Sequence, residues 1–310
     1  MAAISNGNAV RKNARLNKVS LPAEIGIHFI VGGFAAACII PFIFIIIISF
    51  SSTESLQAVG YTFFPVGWSL NAYEAAFNLG DVLWRSYFNS FVVTGVGTFL
   101  AVVLCVMYSY GISRPDYPLR KFFTFFAVFT MLFGGGLAPT VVVIRNLLGM
   151  SNNYASLIVP ALLSPFFIII MRTFIKASIP ESLIESARLD GSGEFRTLLT
   201  IVVPLAKPGI ATIALLTAIN YWNDWFLALL FIRDRELYPL QYLLMEMQNN
   251  IEFIRRNMAL IGAANVNLAD LPSEGLRMAL CVLIVLPIAF AYPFFQKYIV
   301  AGLTVGAVKE

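Results

Sequence analysis

Residues 176–209 read KASIPESLIESARLDGSGEFRTLLTIVVPLAKPG, and this largely polar stretch separates two strongly apolar parts of the chain. Pro180 suits the first turn of a helix, and the helix dipole favours an acid such as Glu181 at that end. The glycines that follow Asp190 are natural positions for the turn that ends the helix. The pattern predicts two short helices, the second over residues 194–203, joined by a glycine elbow and lying along a membrane surface.

The chain as a whole has the composition of a membrane protein. Of its 310 residues, 59% are hydrophobic and only 12% are charged, and the mean hydropathy is +0.79. A helix needs about 20 apolar residues to cross a bilayer. The stretches that meet this length are residues 25–50, 86–112, 121–144, 154–175, 205–232 and 276–300. We therefore predict an all-α integral membrane protein with six transmembrane helices and a polar loop, residues 176–208, between spans four and five.

The positive charges predict how these spans are oriented. Four basic residues precede the first span between positions 11 and 18, and most of the 21 lysines and arginines fall on the same side of the membrane if six spans are assumed. Basic residues are enriched on the cytoplasmic side. We expect a cytoplasmic tail over residues 1–24, a six-span membrane domain over 25–300, and a cytoplasmic tail over 301–310. The loop at 176–208 then lies in the cytoplasm.

The connections on the outer side are longer. Residues 51–85 are rich in aromatic side chains but too polar to span, which predicts a partly folded cap. Its aromatic residues suit either interfacial anchors or a docking surface for a delivering protein. Residues 240–263 have apolar side chains at a helical period, which predicts either a helix on the outer face or a loop that reaches toward a partner.

The chain lacks the residues of several kinds of chemical site. Cys38, Cys105 and Cys281 lie in apolar runs without a C-x-x-C pair, so we expect small core residues rather than a disulfide or metal site. His28 is the single histidine, which excludes a site built from several histidines. No catalytic, cofactor-binding or metal-binding residue is predicted.

Nucleotide binding is also excluded for this chain. No G-x-x-x-x-G-K-[ST] phosphate loop is present. The triple glycine at residues 134–136 has no following lysine and lies in an apolar stretch. We interpret it as a helix break or a close-packing site.

The loop at 176–208 resembles the EAA loop of binding-protein-dependent ABC importers, whose pattern is E-A-A, three residues, G, nine residues, then I-x-L-P. The matching residues are Glu185, Ser186, Ala187, Gly191, Ile201, Val203 and Pro204. Ser186 replaces the middle alanine and Val203 replaces the leucine, and both changes are conservative in size. The runs ARLDGSGEFRTLLTIVVPLAKPGIAT and QKYIVAGLTVGAVKE resemble carbohydrate-uptake permeases, and the likeness extends over all six spans.

This resemblance implies a coupling helix that docks into a cleft of a separate ATPase subunit. The residues expected to form the docking site are Glu185, Ser186, Ala187, Arg188, Leu189, Asp190 and Gly191. Within it, Ala187 and Gly191 offer a small-residue face for close approach, and Glu185, Arg188 and Asp190 offer charge-assisted contacts. We call residues 176–208 the coupling loop.

The resemblance also implies partners and a location. A second homologous permease, two ATPase subunits that bind ATP and Mg²⁺, and an extracytoplasmic solute-binding protein would complete the importer. The chain would be a multi-pass protein of the bacterial inner membrane, in contact with lipid, without a nucleic-acid partner.

The fifth span includes a polar and aromatic cluster that suits a sugar. Aromatic faces stack on sugar rings, and amides and carboxylates bind hydroxyl groups. The candidate path residues are Asn220, Trp222, Asn223 and Asp224. An alternative interpretation is that Asn223 and Asp224 only satisfy neighbouring helices.

Three other functions compete with an oligosaccharide importer. A permease for another small solute would share the coupling loop, although the GLTVGAVKE tail favours sugar. An ion-coupled secondary transporter would need several acids within the spans, and Asp224 is the one clear case. A membrane enzyme would need paired acid, base or metal-ligand residues, which the sequence does not present.

Overall fold

The computed structural model describes residues 21–256 and 274–307. Across these ranges the regular structure is helical, and an isolated antiparallel bridge between Ser51 and Trp68 is the sole β pairing. The all-α fold class is therefore confirmed. Most of the predicted N-terminal tail, the end of the C-terminal tail and residues 257–273 of the last outer loop lie outside the described residues.

The helices are numbered in chain order. They are α1 (Leu21–Ser49), α2 (Thr53–Val59), α3 (Asn71–Phe77), α4 (Asp81–Ser113), α5 (Arg120–Leu132), α6 (Leu137–Val142), α7 (Tyr154–Ile158), α8 (Pro165–Ser178), α9 (Glu181–Leu189), α10 (Glu194–Thr197), α11 (Val203–Leu205), α12 (Lys207–Trp222), α13 (Phe226–Phe231), α14 (Leu240–Arg256) and α15 (Glu274–Ala307). Two π-helical turns, Val143–Leu147 and Leu198–Val202, continue α6 and α10.

Within residues 21–256 and 274–307, three helices, α1, α4 and α15, are long and apolar enough to cross a membrane unbroken. Up to six spans result if each of three bent helix pairs is counted as one span. The predicted spans one, two and six therefore correspond to single long helices. Bends interrupt the chain near the other three.

Glycine and proline explain where these bends occur. The pair formed by Arg120–Leu132 and Leu137–Leu147 turns by 115°. Gly136 lies between them with φ +84°, a conformation that side-chain-bearing residues rarely adopt. The predicted glycine break is confirmed. A Cβ on Gly134 or Gly135 would meet no atom within 4 Å, so neither glycine is a close-packing site within this chain.

The other two bends are at prolines. The chain turns by 51° before α8, which begins at Pro165. It turns by 83° between Glu194–Leu205 and α12, where Pro208 follows directly. Proline lacks the N–H that a continuous helix needs, so it suits the first turn of the new helix. The second predicted helix of the coupling loop thus extends to Leu205 before span five begins.

Helix α4 lies at the centre of the packing and contacts α5, α8, α12 and α14. Its closest approach is to α12, where a Cβ on Gly97 would lie 2.8 Å from the Tyr221 ring. The Tyr221 hydroxyl donates to the Ile158 carbonyl oxygen at 2.8 Å. Small residues let membrane helices approach closely, and hydrogen bonds between helices then hold them.

Asn89 on α4 ties helix α7 and the segment between α13 and α14 to α4. Its Nδ2 donates to the carbonyl oxygens of Glu236 at 2.7 Å and Tyr238 at 3.1 Å. Its Oδ1 accepts from the Tyr154 hydroxyl at 2.6 Å. Because Asn89 is only 2% exposed, each of these bonds replaces water that the side chain has lost.

Replacing Gly97 with alanine should destabilise the bundle, since the added methyl group collides with the Tyr221 ring. We expect a loss of about 1–3 kcal/mol, seen as a lower unfolding temperature of the purified subunit in detergent. Gly95→Ala is the matched control, because a Cβ there meets no atom within 4 Å. Equal unfolding temperatures for the two variants would contradict this packing.

Candidate functional site

The coupling loop contains the helix that the sequence predicts. Helix α9 begins directly after Pro180, which is extended at φ −61° and ψ 137° and precedes the first helical residue. Glu181 occupies the first turn, as expected from the helix dipole. The helix ends at Leu189, one residue before the predicted end.

The glycine elbow has the geometry of a Schellman motif. Gly191 has φ +77°, its N–H donates to the Arg188 carbonyl oxygen at 2.9 Å, and the Ser192 N–H donates to the Ala187 carbonyl oxygen at 2.9 Å. These two bonds satisfy carbonyl groups that the helix end leaves open. The turn is therefore specified by its backbone, and Gly191 provides the left-handed residue it needs.

The two sides of α9 face different surroundings. Ile184 and Ala187 are 4% and 9% exposed and face the chain itself. Ile184 belongs to the hydrophobic cluster that includes residues of α4, α8 and α12. Burying such a side chain stabilises the packing by roughly 1.5–3 kcal/mol. This contact fixes the helix against the bundle.

The opposite side of α9 is open. Glu185, Ser186 and Leu189 are exposed, and Leu189 is an apolar side chain with 90% of its surface accessible. Gly191 is exposed as well, but Ala187 is not, so the structure does not bring these two together in the predicted small-residue face. We call α9 the coupling helix, after the role expected from the sequence, and Glu185, Ser186 and Leu189 its outward face.

Arg188 contacts its own chain rather than pointing freely outward. Its Nε donates to Glu194 Oε1 at 2.9 Å, and its Nη1 forms an ion pair with Asp116. The Tyr110 hydroxyl donates to Glu194 Oε2 at 2.5 Å. Asp116 also lies 3.5 Å from Arg114. Arg188 therefore forms a bridge between α9, α10 and the loop before α5, and its charge is already paired within this chain.

The bridge is stable over the physiological pH range. The Arg188 hydrogen bond lowers the pKa of Asp116 below its ordinary value. A carboxylate with a lowered pKa contributes stability above its ordinary pKa and loses it only as the pH falls through the lowered value. Because the ion pairs are partly exposed, each contributes at most about 1 kcal/mol. The ion pairs orient α9, while burial of Ile184 contributes more of the free energy that holds α9 against the bundle.

The sequence did not reveal this bridge. Asp116 lies in the short loop after α4, 72 positions before Arg188 in the printed sequence. Charged residues in a short inner loop are expected from orientation alone, so nothing in the local pattern pairs it with the coupling helix. The fold creates the contact, since Ile184 of α9 joins the hydrophobic cluster that includes Tyr110 and Ile112 near the end of α4.

The candidate path residues lie at the break between α12 and α13. Trp222 is 5% exposed, donates from Nε1 to the Ile284 carbonyl oxygen at 3.1 Å and contacts the Phe91 ring edge-on. Asp224 Oδ1 accepts from the N–H groups of Phe226 at 2.8 Å and Leu227 at 3.1 Å. Trp222 therefore packs helices together and Asp224 caps α13.

The two amides at this break are more accessible. Asn220 and Asn223 are exposed. Asn223 Nδ2 donates to the Ile219 carbonyl oxygen at 2.9 Å, and its Oδ1 accepts from Gln241 at 3.2 Å. Gln241 on α14 was not among the predicted residues. A small cavity of about 110 Å³ beside them is lined by Thr217, Asn220 and Asp224, among others.

No group of three or more histidine, cysteine, aspartate or glutamate side chains is placed to hold a metal ion among residues 21–256 and 274–307. The expected absence of a metal in this chain stays a prediction.

Comparisons with known proteins place this chain among transport components. Residues 118–305 match the family model described as binding-protein-dependent transport system inner membrane component. The polygalacturonan/rhamnogalacturonan transport system permease protein YtcP of Bacillus subtilis is 36% identical over 89% of this chain and 94% of that protein. The trehalose/maltose permease protein MalG of Thermococcus litoralis is 27% identical over 89% and 93% of the two chains.

One chain of a solved structure is also similar to this chain, over nearly the whole length of both. That structure is a crystal structure of a bacterial ABC transporter involved in the import of the acidic polysaccharide alginate. The matching chain is 31% identical, with a TM-score of 0.78, and the match covers 91% of this chain and 99% of that one.

Replacing Arg188 with glutamine should loosen the coupling helix, because the bridge to Asp116 and Glu194 loses its charge. We expect the backbone amides of α9 to exchange hydrogen about fivefold faster in the purified subunit. Glu185→Gln is the control, since Glu185 lies on the outward face. Unchanged exchange in the Arg188 variant would show that the bridge does not hold the helix.

Proposed function

This chain belongs to the family of binding-protein-dependent transport system inner membrane components, and from this premise we propose that it carries an oligosaccharide or a polysaccharide fragment. It is a permease subunit of an ABC importer, not an enzyme, and separate subunits hydrolyse ATP. The substrate class is supported by the names of the relatives, which refer to polygalacturonan, rhamnogalacturonan, maltose and alginate.

The proposed topology has six spans with both termini in the cytoplasm. The membrane domain extends over residues 25–300, with tails at 1–24 and 301–310. Three unbroken helices and three bent pairs are consistent with this number. The excess of basic residues on the proposed cytoplasmic side supports the orientation.

The proposed partners are a second homologous permease, two ATPase subunits with their ATP and Mg²⁺, and an extracytoplasmic solute-binding protein. This chain would supply half of the translocation path. The most apolar part of α1 is not buried by the rest of the chain, which leaves surface for lipid and for the second permease.

We assign contact with the ATPase to the outward face of the coupling helix and to the elbow at Asp190 and Gly191. The observation that carries this proposal is the division of α9 into a face anchored by Ile184 and a face exposed at Leu189. A helix fixed on one side and open on the other can transmit the movement of a bound subunit to the bundle. Ala187 and Arg188 contribute indirectly, because they hold α9 against the rest of the chain.

For the substrate path, the exposed amides of Asn220 and Asn223 are the better candidates. Both can donate and accept hydrogen bonds, as recognition of sugar hydroxyl groups requires. Gln241 joins them through its bond to Asn223. Trp222 and Asp224 hold the helix break that presents these amides.

Leu189→Asp should disrupt ATPase binding, because docking would bury an unpaired charge. We expect at least tenfold weaker association with the ATPase subunits, measured by co-purification and transport-coupled ATP hydrolysis. Leu189→Met keeps the apolar contact and is the matched control. Full association of the aspartate variant would contradict docking at this face.

Asn223→Ala should reduce binding-protein-dependent uptake of labelled oligosaccharides severalfold while the amount of assembled importer stays constant. Normal uptake by the Asn223 variant would remove Asn223 from the path. Uptake of amino acids or phosphate in place of oligosaccharides by the unmodified importer would contradict the substrate class.

Trp222→Ala should instead lower the amount of folded subunit, because a large buried side chain and its hydrogen bond are lost at a cost of about 3–5 kcal/mol.

A further inference from the structure

A cleft between α5 and α8 concentrates positive charge at one end of the bundle. Its volume is about 510 Å³, and Arg120, Lys121, Arg172 and Lys176 all line it. The first two begin α5 and the last two lie near the end of α8, one helical turn apart. None of the residues that line the cleft is acidic.

One acid lies close to these charges: Glu181 lines an adjoining pocket with Arg120 and Lys176 and interacts electrostatically with Lys176, but it forms no ion pair with any of the four cations. In the described part of the chain, Arg120, Lys121 and Lys176 form no ion pair within 4.0 Å, and Arg172 uses its Nε to donate to the Ile112 carbonyl oxygen at 3.2 Å. Cations that share one cleft repel each other. A bound anion would remove this repulsion and form charge-assisted hydrogen bonds.

Further along α5, away from the four cations, the same cleft is lined by apolar side chains. Phe125 and Val128 line it one and two turns further along α5 from Lys121. The ring centroids of Phe125 and Phe129 are 5.8 Å apart, and those of Phe129 and Phe133 are 4.7 Å apart. All three side chains are exposed. We call these three residues the phenylalanine ladder.

The length of this surface matches one leaflet of a bilayer. From Lys121 to the end of α5 at Leu132, directly before Phe133, the helix rises about 17 Å, at roughly 1.5 Å per residue. Half of the hydrocarbon core of a bilayer is about 15 Å thick. The surface therefore has cations where lipid head groups lie and aromatic rings where acyl chains lie.

We propose that this cleft binds an anionic phospholipid of the cytoplasmic leaflet, with its phosphate among the four cations and an acyl chain along the phenylalanine ladder. The leaflet assignment rests on the orientation given under the proposed function. Basic pockets between helices on the cytoplasmic side are suited to anionic head groups. A free phosphate ion would use the cations but not the ladder, and a protein partner would have to supply several acids at the same depth.

The test uses the complete purified importer in nanodiscs that contain phosphatidylcholine with a minor share of phosphatidylglycerol. Native mass spectrometry counts the phosphatidylglycerol molecules retained after release from the disc. The Lys121→Gln/Lys176→Gln variant should lose about fivefold in affinity per charge removed, or on the order of 25-fold for the pair. The Lys121→Arg/Lys176→Arg variant should retain the lipid.

Arg196→Gln/Lys207→Gln is the matched control. It removes two exposed cations from the same proposed side of the membrane but outside the cleft. We expect it to retain phosphatidylglycerol as the unmodified importer does. Equal lipid retention in both glutamine pairs would overturn the proposal.

Two further results would also overturn it. Inorganic phosphate that displaces the lipid at equal concentration would indicate a simple anion site. A photoreactive group at Phe125 that labels a protein subunit rather than lipid would show that a protein covers the cleft. Lipid retention is measured without transport, so it can fail while oligosaccharide uptake is normal, and uptake can fail while the lipid stays bound.

Discussion

The coupling helix depends on one buried contact, that of Ile184 with the hydrophobic cluster of α4, α8 and α12. A polar loop at a membrane surface has few ways to become rigid, because water competes for every hydrogen bond it makes. Ile184 supplies an apolar anchor, and the Arg188 bridge fixes the direction of the helix around it. The proposed docking at Leu189 would then be linked to the bundle through this packed cluster.

Much of this arrangement could be predicted because its causes are local. The apolar stretches predicted the long helices, and the spacing of Pro180, Asp190 and Gly191 predicted the coupling helix and its elbow. The triple glycine at 134–136 correctly indicated a break. Each of these signals depends on neighbouring residues, and so a single sequence contains it.

The contacts that the sequence did not reveal join residues far apart in the chain. Ala187 was expected on the docking surface, but the rotation of α9 set by Ile184 turns it inward. Arg188 was expected to be available, but the tertiary fold brings Asp116 within reach. Likewise, Trp222 and Asp224 have the chemistry of a sugar site, yet Ile284 and the first turn of α13 occupy their polar atoms. Chemistry alone could not separate them from Asn220 and Asn223, because accessibility is set by tertiary packing.

The central claim is that the coupling helix meets the ATPase with its Leu189 side and the bundle with its Ala187 side. Site-specific cross-linking in the complete importer tests this most directly, with a photoreactive residue placed at 189 or at 187. We predict that the probe at 189 labels an ATPase subunit and that the probe at 187 labels only this chain. Labelling of the ATPase from 187, with none from 189, would contradict the account.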